Sequence, residues 1–254
     1  MGAEHGHTAY YHGHSLVHRL PAHLKIVALL GYVLLVVATP RELLWPYAVH
    51  LATLSVAVLV SRVPPAYLLR RLVIEVPFVV FAALLPFVAT GPGITVLGLS
   101  VSEPGLQGAW ALLAKGTLGV LAALLLAATT EPRDLLAGLA RLRVPRQLVE
   151  IMGFMVRYLD LIAGEMRRMR IARASRGFRA RSPQQWPVLG RSAGALFIRS
   201  YERGERVHLA MLSRGYTGSL PVAAPAALPP GQYAVAALLP AAALLTTALA
   251  WSLR

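Results

Sequence analysis

Five long apolar segments constrain the fold of this chain more than any other feature. Each is close to the ~20 residues that a helix needs to cross the hydrocarbon core of a bilayer. The first two are short and need little tilt or a locally thinner bilayer. We therefore predict an all-α integral membrane protein with about five transmembrane helices, at residues 24–39, 43–60, 72–90, about 109–130 and 233–253.

The positive charge of the chain is placed on one side of these segments. The chain has 25 Lys and Arg against 11 Asp and Glu, and a formal net charge of +14. Seventeen of the basic residues, all Arg, lie in residues 131–232, whereas the loop 91–108 has none. Basic residues remain on the cytoplasmic side of a membrane. The distribution predicts a multi-pass protein of the cytoplasmic (inner) membrane, with both 131–232 and the N-terminus inside and no nucleic-acid partner.

The same pattern divides the chain into five parts. We predict a histidine-containing N-terminal tail, a four-helix transmembrane region, a cytoplasmic domain of amphipathic helices, a linker and a final transmembrane helix. These parts span residues 1–23, 24–130, 131–216, 217–232 and 233–254. Apolar residues at steps of three and four predict three helices in the cytoplasmic domain. They cover residues 131–145, 147–176 and about 190–214, and a Pro- and Gly-marked loop at 179–190 joins the last two.

Both long cytoplasmic helices end on a repeated motif, "ARASRGF" at 172–178 and "AMLSRGY" at 210–216. Gly177 and Gly215 stand where a helix ends in a left-handed conformation, which glycine adopts without a Cβ clash. Arg176 and Arg214 then lie near the negative end of the helix dipole. Two ordinary basic helix ends are one interpretation.

A helix end needs only the glycine, yet here Ala, Ser, Arg and an aromatic residue are matched as well. The repeat therefore predicts two tips that present the same guanidinium to two equivalent acceptors. Arginine suits this role because it binds a carboxylate through two parallel hydrogen bonds. Two like acceptors are most simply provided by a dimer of soluble subunits.

Four stretches give the chain a resemblance to a known family. They are residues 14–27 ("HSLVHRLPAHLKIV"), 128–159, 168–178 and 210–216. On these the chain resembles the transmembrane T component of energy-coupling-factor (ECF) importers, in the cobalt-type CbiQ branch. The resemblance implies coupling helices whose tips dock into grooves on two CbiO-like ATP-binding-cassette subunits. The docking residues would be Ser175, Arg176, Gly177, Ser213, Arg214 and Gly215.

The resemblance also implies the remaining partners, which are the lipid bilayer and a separate CbiM-like S component that captures cobalt. It leaves room for a small accessory membrane subunit. Nothing in the chain matches the phosphate-binding pattern G-x-x-x-x-G-K-[ST], so ATP would be bound and hydrolysed by the partner subunits. We expect a non-enzymatic subunit with no catalytic residue, no cofactor and no metal site of its own. Nickel or a vitamin remain open as substrates, because specificity would reside in another subunit.

Two rival hypotheses come from other classes of protein. A membrane-anchored scaffold could bind anionic lipid or RNA through the charge of its basic helices alone. An integral membrane enzyme is less well supported, because the acidic residues and His208 form no constellation typical of a triad or a metal site.

Several other residues invite a functional interpretation with a simpler alternative beside it. The N-terminal histidines form a loose imidazole cluster but are more typical of a solvated tail. Glu75 and Lys115 lie in or near predicted spans, where snorkelling to the interface or pairing within the bundle would satisfy them. The methionine stripe has the spacing of a packing face rather than of soft metal ligands. The histidines are His5, His7, His12 and His14, and the methionines are Met152, Met155, Met166 and Met169.

Overall fold

The computed structural model describes residues 10–89, 92–96, 99–178, 183–218 and 229–253. Ten α-helices are present in this part of the chain, together with a two-stranded hairpin and two short 3₁₀ turns at Leu72–Glu75 and Pro183–Gln185. The helices are α1 (Leu16–Arg19), α2 (Ala22–Ala38), α3 (Trp45–Ser61), α4 (Pro65–Arg71), α5 (Val76–Val88), α6 (Glu103–Thr129), α7 (Pro132–Arg141), α8 (Arg146–Ser175), α9 (Trp186–Leu212) and α10 (Pro230–Ser252).

The chain divides into two compact units. We call Met1–Arg141 with Ala226–Arg254 the membrane unit, and Leu142–Pro225 the paired-helix unit. The division falls after Arg141, whereas the change from apolar to polar sequence placed it after Thr130. The reason is that α7 packs against α2. Gly138 allows this close approach, because a Cβ at that position would lie 2.8 Å from the backbone nitrogen of His23.

The core of the membrane unit is formed around α2, which contacts α6, α7 and α10. Tyr32, Val36 and Leu54 are almost completely buried there. Many apolar side chains on the outer surface of the same helices are more than half exposed, as expected where a bilayer rather than water surrounds the helices. Examples are Leu30, Leu34, Phe81, Leu238 and Leu245.

Three helices in the described residues are long and apolar enough to cross a membrane: Pro65–Val88, Glu103–Thr129 and Pro230–Ser252. The first of these combines α4, the turn Leu72–Glu75 and α5. The helices α2 and α3 are apolar but have 17 residues each. At 1.5 Å per residue they measure about 26 Å, against a hydrocarbon core of about 30 Å. The structure therefore contains three candidate spans and two shorter apolar helices where the sequence predicted five spans.

The predicted all-α fold needs one small correction in the loop 91–108. Residues Gly93–Val96 (β1) pair with Leu99–Ser102 (β2) in an antiparallel hairpin. The three consecutive β-branched residues of "GITV" favour this extended backbone. The following helix, α6, then begins at Glu103, earlier than residue 109, because Pro104 is favourable in the first turn of a helix.

Candidate functional site

The candidate site is formed by α8 and α9 of the paired-helix unit, which run antiparallel. Glu165 of α8 contacts Arg199 of α9, and Glu150 near the start of α8 contacts Tyr216 just after the end of α9. The helix predicted over 147–176 is confirmed by α8. The helix predicted from about residue 190 begins earlier, at Trp186, because Pro187 occupies its first turn rather than a loop.

The first tip, at the end of α8, is a Schellman motif, the helix ending that uses a left-handed residue. Gly177 has φ 77°, which confirms the predicted left-handed conformation. Its N–H donates to the carbonyl of Ala174 at 3.0 Å, and the N–H of Phe178 donates to the carbonyl of Arg173 at 3.1 Å. These two bonds satisfy carbonyl groups that a helix end otherwise leaves without a partner.

The second tip, at the end of α9, repeats this geometry bond for bond. Gly215 has φ 83°. Its N–H donates to the carbonyl of Leu212, and the N–H of Tyr216 donates to that of Met211, both at 3.0 Å. The sequence repeat therefore encodes one local structure twice, closed at each tip by the backbone N–H of the residue after the glycine.

The matched Ala and Ser of the repeat also have a local role. Ser175 donates a hydrogen bond from Oγ to the carbonyl of Ala172 at 3.0 Å. Ser213 does the same to Ala210, also at 3.0 Å. Both hydroxyl groups are therefore used within their own helices, so that they shape the tip and leave the adjacent arginine as its free polar group.

Arg176 and Arg214 are exposed, and neither guanidinium has a hydrogen bond or an ion pair to any residue that the structure describes. Each follows a helix end whose carbonyl groups favour a cation. Each has all its N–H donors available to a carboxylate, which it can bind through two parallel hydrogen bonds. Each tip therefore presents an exposed guanidinium group that is suited to binding a carboxylate.

The two tips lie at opposite ends of the helix pair. Tyr216, two residues beyond Arg214, reaches Glu150, whereas Arg176 follows the other end of α8. About 26 residues of helix at 1.5 Å each separate the two ends, which places the tips about 40 Å apart.

The second tip has one contact that the first cannot make. The hydroxyl of Tyr216 donates to Oε2 of Glu150 at 3.1 Å, and Phe178 at the matched position has no hydroxyl. Desolvation and this bond to the carboxylate raise the pKa of Tyr216. The sequence difference between Phe and Tyr is thus a structural difference between the two tips.

The apolar stripes of α8 and α9 are largely uncovered within the described chain. Leu196 is buried on α9, and no residue of α8 is. Met155 is 66% exposed, so the methionine stripe is not a core face of this chain. A cavity of about 340 Å³ lies between the helices, lined by apolar residues such as Tyr158, Ile162 and Val207.

Two buried polar residues of the apolar helices α2 and α3 were missed by the sequence analysis, although both are polar positions inside apolar segments. Lys25 is buried near the start of α2. Its Nζ donates to the carbonyl of Thr129 at 2.7 Å, the hydroxyl of Thr130 at 3.2 Å and the carbonyl of His18 at 3.3 Å. His50 of α3 is also completely buried, and its Nε2 lies 3.1 Å from Oγ1 of Thr39. These residues join helices within the membrane unit.

Glu75 and Lys115, which the sequence did single out, do not pair with each other. Glu75 is buried and accepts a hydrogen bond from Thr117 at 2.6 Å. Lys115 donates to the carbonyl of Val37 at 2.7 Å. Each is satisfied within the bundle by a neutral group, which supports packing rather than chemistry as its role.

One backbone hydrogen bond joins the described part of the N-terminal tail to the rest of the membrane unit, while His12 and His14 are exposed, as the interpretation of a solvated tail expects. The N–H of Tyr11 donates to the carbonyl of Ala128 at 2.8 Å. Both ring nitrogens of His18 are occupied, Nε2 by the Tyr11 carbonyl at 3.0 Å and Nδ1 by the Ser15 hydroxyl at 2.7 Å. His5 and His7 lie outside the described residues. Among the described residues, no three His, Asp or Glu side chains are grouped as a metal ion requires.

A family model matches most of the chain. The model described as "Cobalt transport protein", CbiQ, matches residues 13–223. The chain belongs to the CbiQ family. It is an ECF-transporter T component of the CbiQ type, a transmembrane transport protein, which confirms the family suggested by the repeated motif.

Three relatives illustrate the range of the CbiQ family. The chain is 28% identical to the ECF transporter transmembrane protein EcfT of Bacillus selenitireducens, over 82% of each chain. It is 29% identical to the cobalt transport protein CbiQ of Rhodobacter capsulatus, over 79% of this chain and 81% of that one. It is 25% identical to a fused cobalt transport protein, CbiMQ, of Methanocorpusculum labreanum, over 81% of this chain and 36% of the fusion.

Proposed function

We propose that this chain is the coupling subunit of an ATP-driven importer of the ECF type, and that Arg176 and Arg214 dock onto two ATP-binding-cassette subunits. The observation that carries the proposal is the duplicated tip. Two helix ends have the same hydrogen bonds, the same exposed arginine and the same left-handed glycine. Their placement at opposite ends of the pair suits two separate copies of one acceptor.

The mechanism follows from the rigidity of the helices. When ATP binding closes two cassette subunits, two tips docked on them move together, and each long helix carries that displacement along its length. The chain needs no catalytic residue or cofactor for this task, because ATP is bound by its partners. In this arrangement the paired-helix unit is cytoplasmic, and five helices of the membrane unit cross the inner membrane.

Cobalt is the substrate that the comparisons favour. Relatives of the chain are named for cobalt transport, and one is a fusion whose name joins CbiM to CbiQ. We therefore propose a CbiM-like S component as the membrane partner, with CbiO-like ATPases. Uptake of cobalt and of nickel by cells expressing the assembled transporter separates the two metals, and uptake of neither metal would favour a vitamin.

Charge reversal at the tips tests the docking role. The double variant Arg176→Glu with Arg214→Glu should lose association with the ATPase subunits and lose ATP-dependent uptake, because two carboxylates would face acidic acceptors. The matched control is Arg157→Glu with Arg206→Glu, which makes the same charge change at exposed positions inside α8 and α9. Copurification of the ATPases is the measurement.

The control also separates the proposal from the charge-scaffold alternative. If the chain binds anionic lipid or RNA through charge alone, both double variants lose binding equally. Retention of the ATPases and of uptake by the Arg176→Glu, Arg214→Glu variant would refute docking through these tips.

A further inference from the structure

We propose that Glu165 is a positioning residue that holds the crossing of α8 and α9, and thereby sets the separation of the two arginine tips. Its relevance to transport rests on the proposed function, but the contacts themselves are structural. One carboxylate on α8 faces three guanidinium groups, of which two belong to α9.

Each carboxylate oxygen of Glu165 contacts at least one arginine. Oε1 accepts from Nη1 of Arg199 at 3.1 Å. Oε2 lies 3.8 Å from Nη2 of Arg203 and 3.3 Å from Nη2 of Arg168. The side chain of Glu165 is 18% exposed, while those of Arg168, Arg199 and Arg203 are 68%, 59% and 37% exposed. The carboxylate is thus the covered centre of a charge network.

The hydrogen bond from Arg199 is the largest cause that lowers the pKa of Glu165, and Arg168 adds to it. The carboxyl group therefore remains ionised throughout the physiological range. A single exposed ion pair contributes little to stability, but a shared carboxylate fixes the relative direction of its partners. Such a network therefore acts by fixing the relative orientation of the two helices rather than by adding much stability.

Packing alone holds this crossing weakly. Beside Glu165 lies the 340 Å³ cavity, and its lining includes both Glu165 and Arg203. Side chains that line a cavity lack contacts on that side and resist rotation of the helices less than a filled core does. The ion pairs therefore carry a larger share of the constraint here than in a closely packed interface.

Small rotations at the crossing become large displacements at the tips. About ten residues of helix separate Glu165 from the end of α8, a length of about 15 Å. A rotation of about 10° at the crossing therefore moves that tip by about 3 Å. A hydrogen bond to a guanidinium spans about 3 Å, so a displacement of this size is enough to break docking.

The distance between the tips can be measured directly, because the chain has no cysteine of its own. Spin labels at Ala174→Cys and Leu212→Cys occupy matched, exposed positions of the two tips. Pulsed electron paramagnetic resonance on the full chain in nanodiscs then reports the distance distribution without any ATPase present. Glu165→Gln keeps the shape of the side chain and removes its charge. We expect this variant to shift or broaden the distribution.

Asp160→Asn is the matched control, because it removes one negative charge from an exposed position of the same helix. It should leave the distribution unchanged. Arg199→Gln should give part of the effect of Glu165→Gln, because Arg203 keeps its contact with the carboxylate. The double variant should match Glu165→Gln alone, since that substitution already removes the Arg199 contact. A Glu165→Gln distribution that superimposes on that of the Asp160→Asn control would overturn the proposal, as would an additive double variant.

ATP-dependent uptake, measured in parallel, separates this proposal from the one on which it rests. If Glu165→Gln moves the tips and uptake falls while uptake by Asp160→Asn does not, both proposals are supported. If the tips move and uptake stays at the control value, Glu165 still positions the tips, and their docking role is refuted.

Discussion

The membrane unit and the paired-helix unit differ in how much of their long helices they bury. In the membrane unit, α6 buries eight of its 27 residues. In the paired-helix unit, α9 has the same length and buries Leu196 alone, and α8 buries none of its 30 residues. The comparison indicates that the membrane unit has a core of its own, whereas the paired-helix unit leaves most of its apolar stripes exposed within the described chain.

The polar groups show the same contrast. In the membrane unit, Lys25 and Glu75 are buried and bonded to neutral groups on other helices. In the paired-helix unit the charged contacts are at the surface, between arginines and carboxylates. Buried bonds to neutral groups fix the arrangement of the membrane unit. In the paired-helix unit, the carboxylate that Arg199 and Arg203 share is the proposed constraint on the crossing of α8 and α9.

Of the substitutions considered, the loss of Lys25 should reduce stability the most. Lys25→Met leaves the acceptors at Thr129, Thr130 and His18 without their donor, which destabilises the fold. It also removes a buried charge, which offsets part of that loss. The net cost should be about 2–4 kcal/mol. We expect a lower midpoint of thermal unfolding for the purified chain in detergent.

Lys115→Met is the matched control, because Lys115 donates to one carbonyl, that of Val37. It should lose about 0.5–1.5 kcal/mol. Equal losses from the two variants would contradict the conclusion that Lys25 joins the ends of α2 and α6.

Glycine substitutions should have the next largest effect. We expect alanine to destabilise the membrane unit at Gly138 and to stabilise the paired-helix unit at Gly194. A Cβ at Gly138 would lie 2.8 Å from the backbone of His23, so Gly138→Ala should cost about 1–3 kcal/mol through the displacement of α7 from α2. A Cβ at Gly194 of α9 meets nothing within 4 Å. Gly194→Ala should instead stabilise its helix by about 0.5–1 kcal/mol.

Hydrogen exchange measured on α7 and α9 is the readout for both glycine variants. Faster exchange on α9 in Gly194→Ala would show that the paired-helix unit is more tightly packed than its exposure indicates.

Much of the fold could be predicted because its signals are local. Apolar runs located the apolar helices α2 and α10 within three residues, with 24–39 found as Ala22–Ala38 and 233–253 found as Pro230–Ser252. The glycines of the repeated motif predicted two left-handed helix ends, which φ at Gly177 and Gly215 confirms. Both features depend on residue type within one or two turns of helix.

The remainder depends on contacts that are distant in the sequence. The Thr129 carbonyl that receives a bond from Lys25 is 104 residues away, and a backbone acceptor has no side-chain signature. The antiparallel pairing of α8 with α9 depends on Glu150 and Tyr216, which are 66 residues apart. The repeat therefore predicted two tips, but not their placement at opposite ends of the pair. The docking role of the two arginines stays a prediction.

Substitution of the tip glycines should have an intermediate effect that is equal at the two tips. Alanine at φ near +80° is strained, so Gly177→Ala and Gly215→Ala should each cost about 1 kcal/mol locally. Faster amide exchange at residues 172–178 and 210–216, respectively, is the measurement. Gly204→Ala, at a helical position with free space, is the control. A tip that exchanges no faster than this control would contradict the inferred Schellman geometry.

The smallest effect should come from the one hydroxyl that distinguishes the tips. Tyr216→Phe removes the bond to Glu150 and makes the two aromatic positions identical. Because this contact is at the surface, we expect about a twofold rise in amide exchange around residue 216 and no change in the unfolding of the membrane unit. Phe178→Tyr, which adds a hydroxyl at the matched position of the first tip, should leave exchange there unchanged, since Glu150 lies at the other end of α8. If Tyr216→Phe has no effect, the two tips are equivalent, and the second tip is held by its backbone bonds alone. If the effect spreads to the membrane unit, the Glu150 contact instead supports more than the local end of α9.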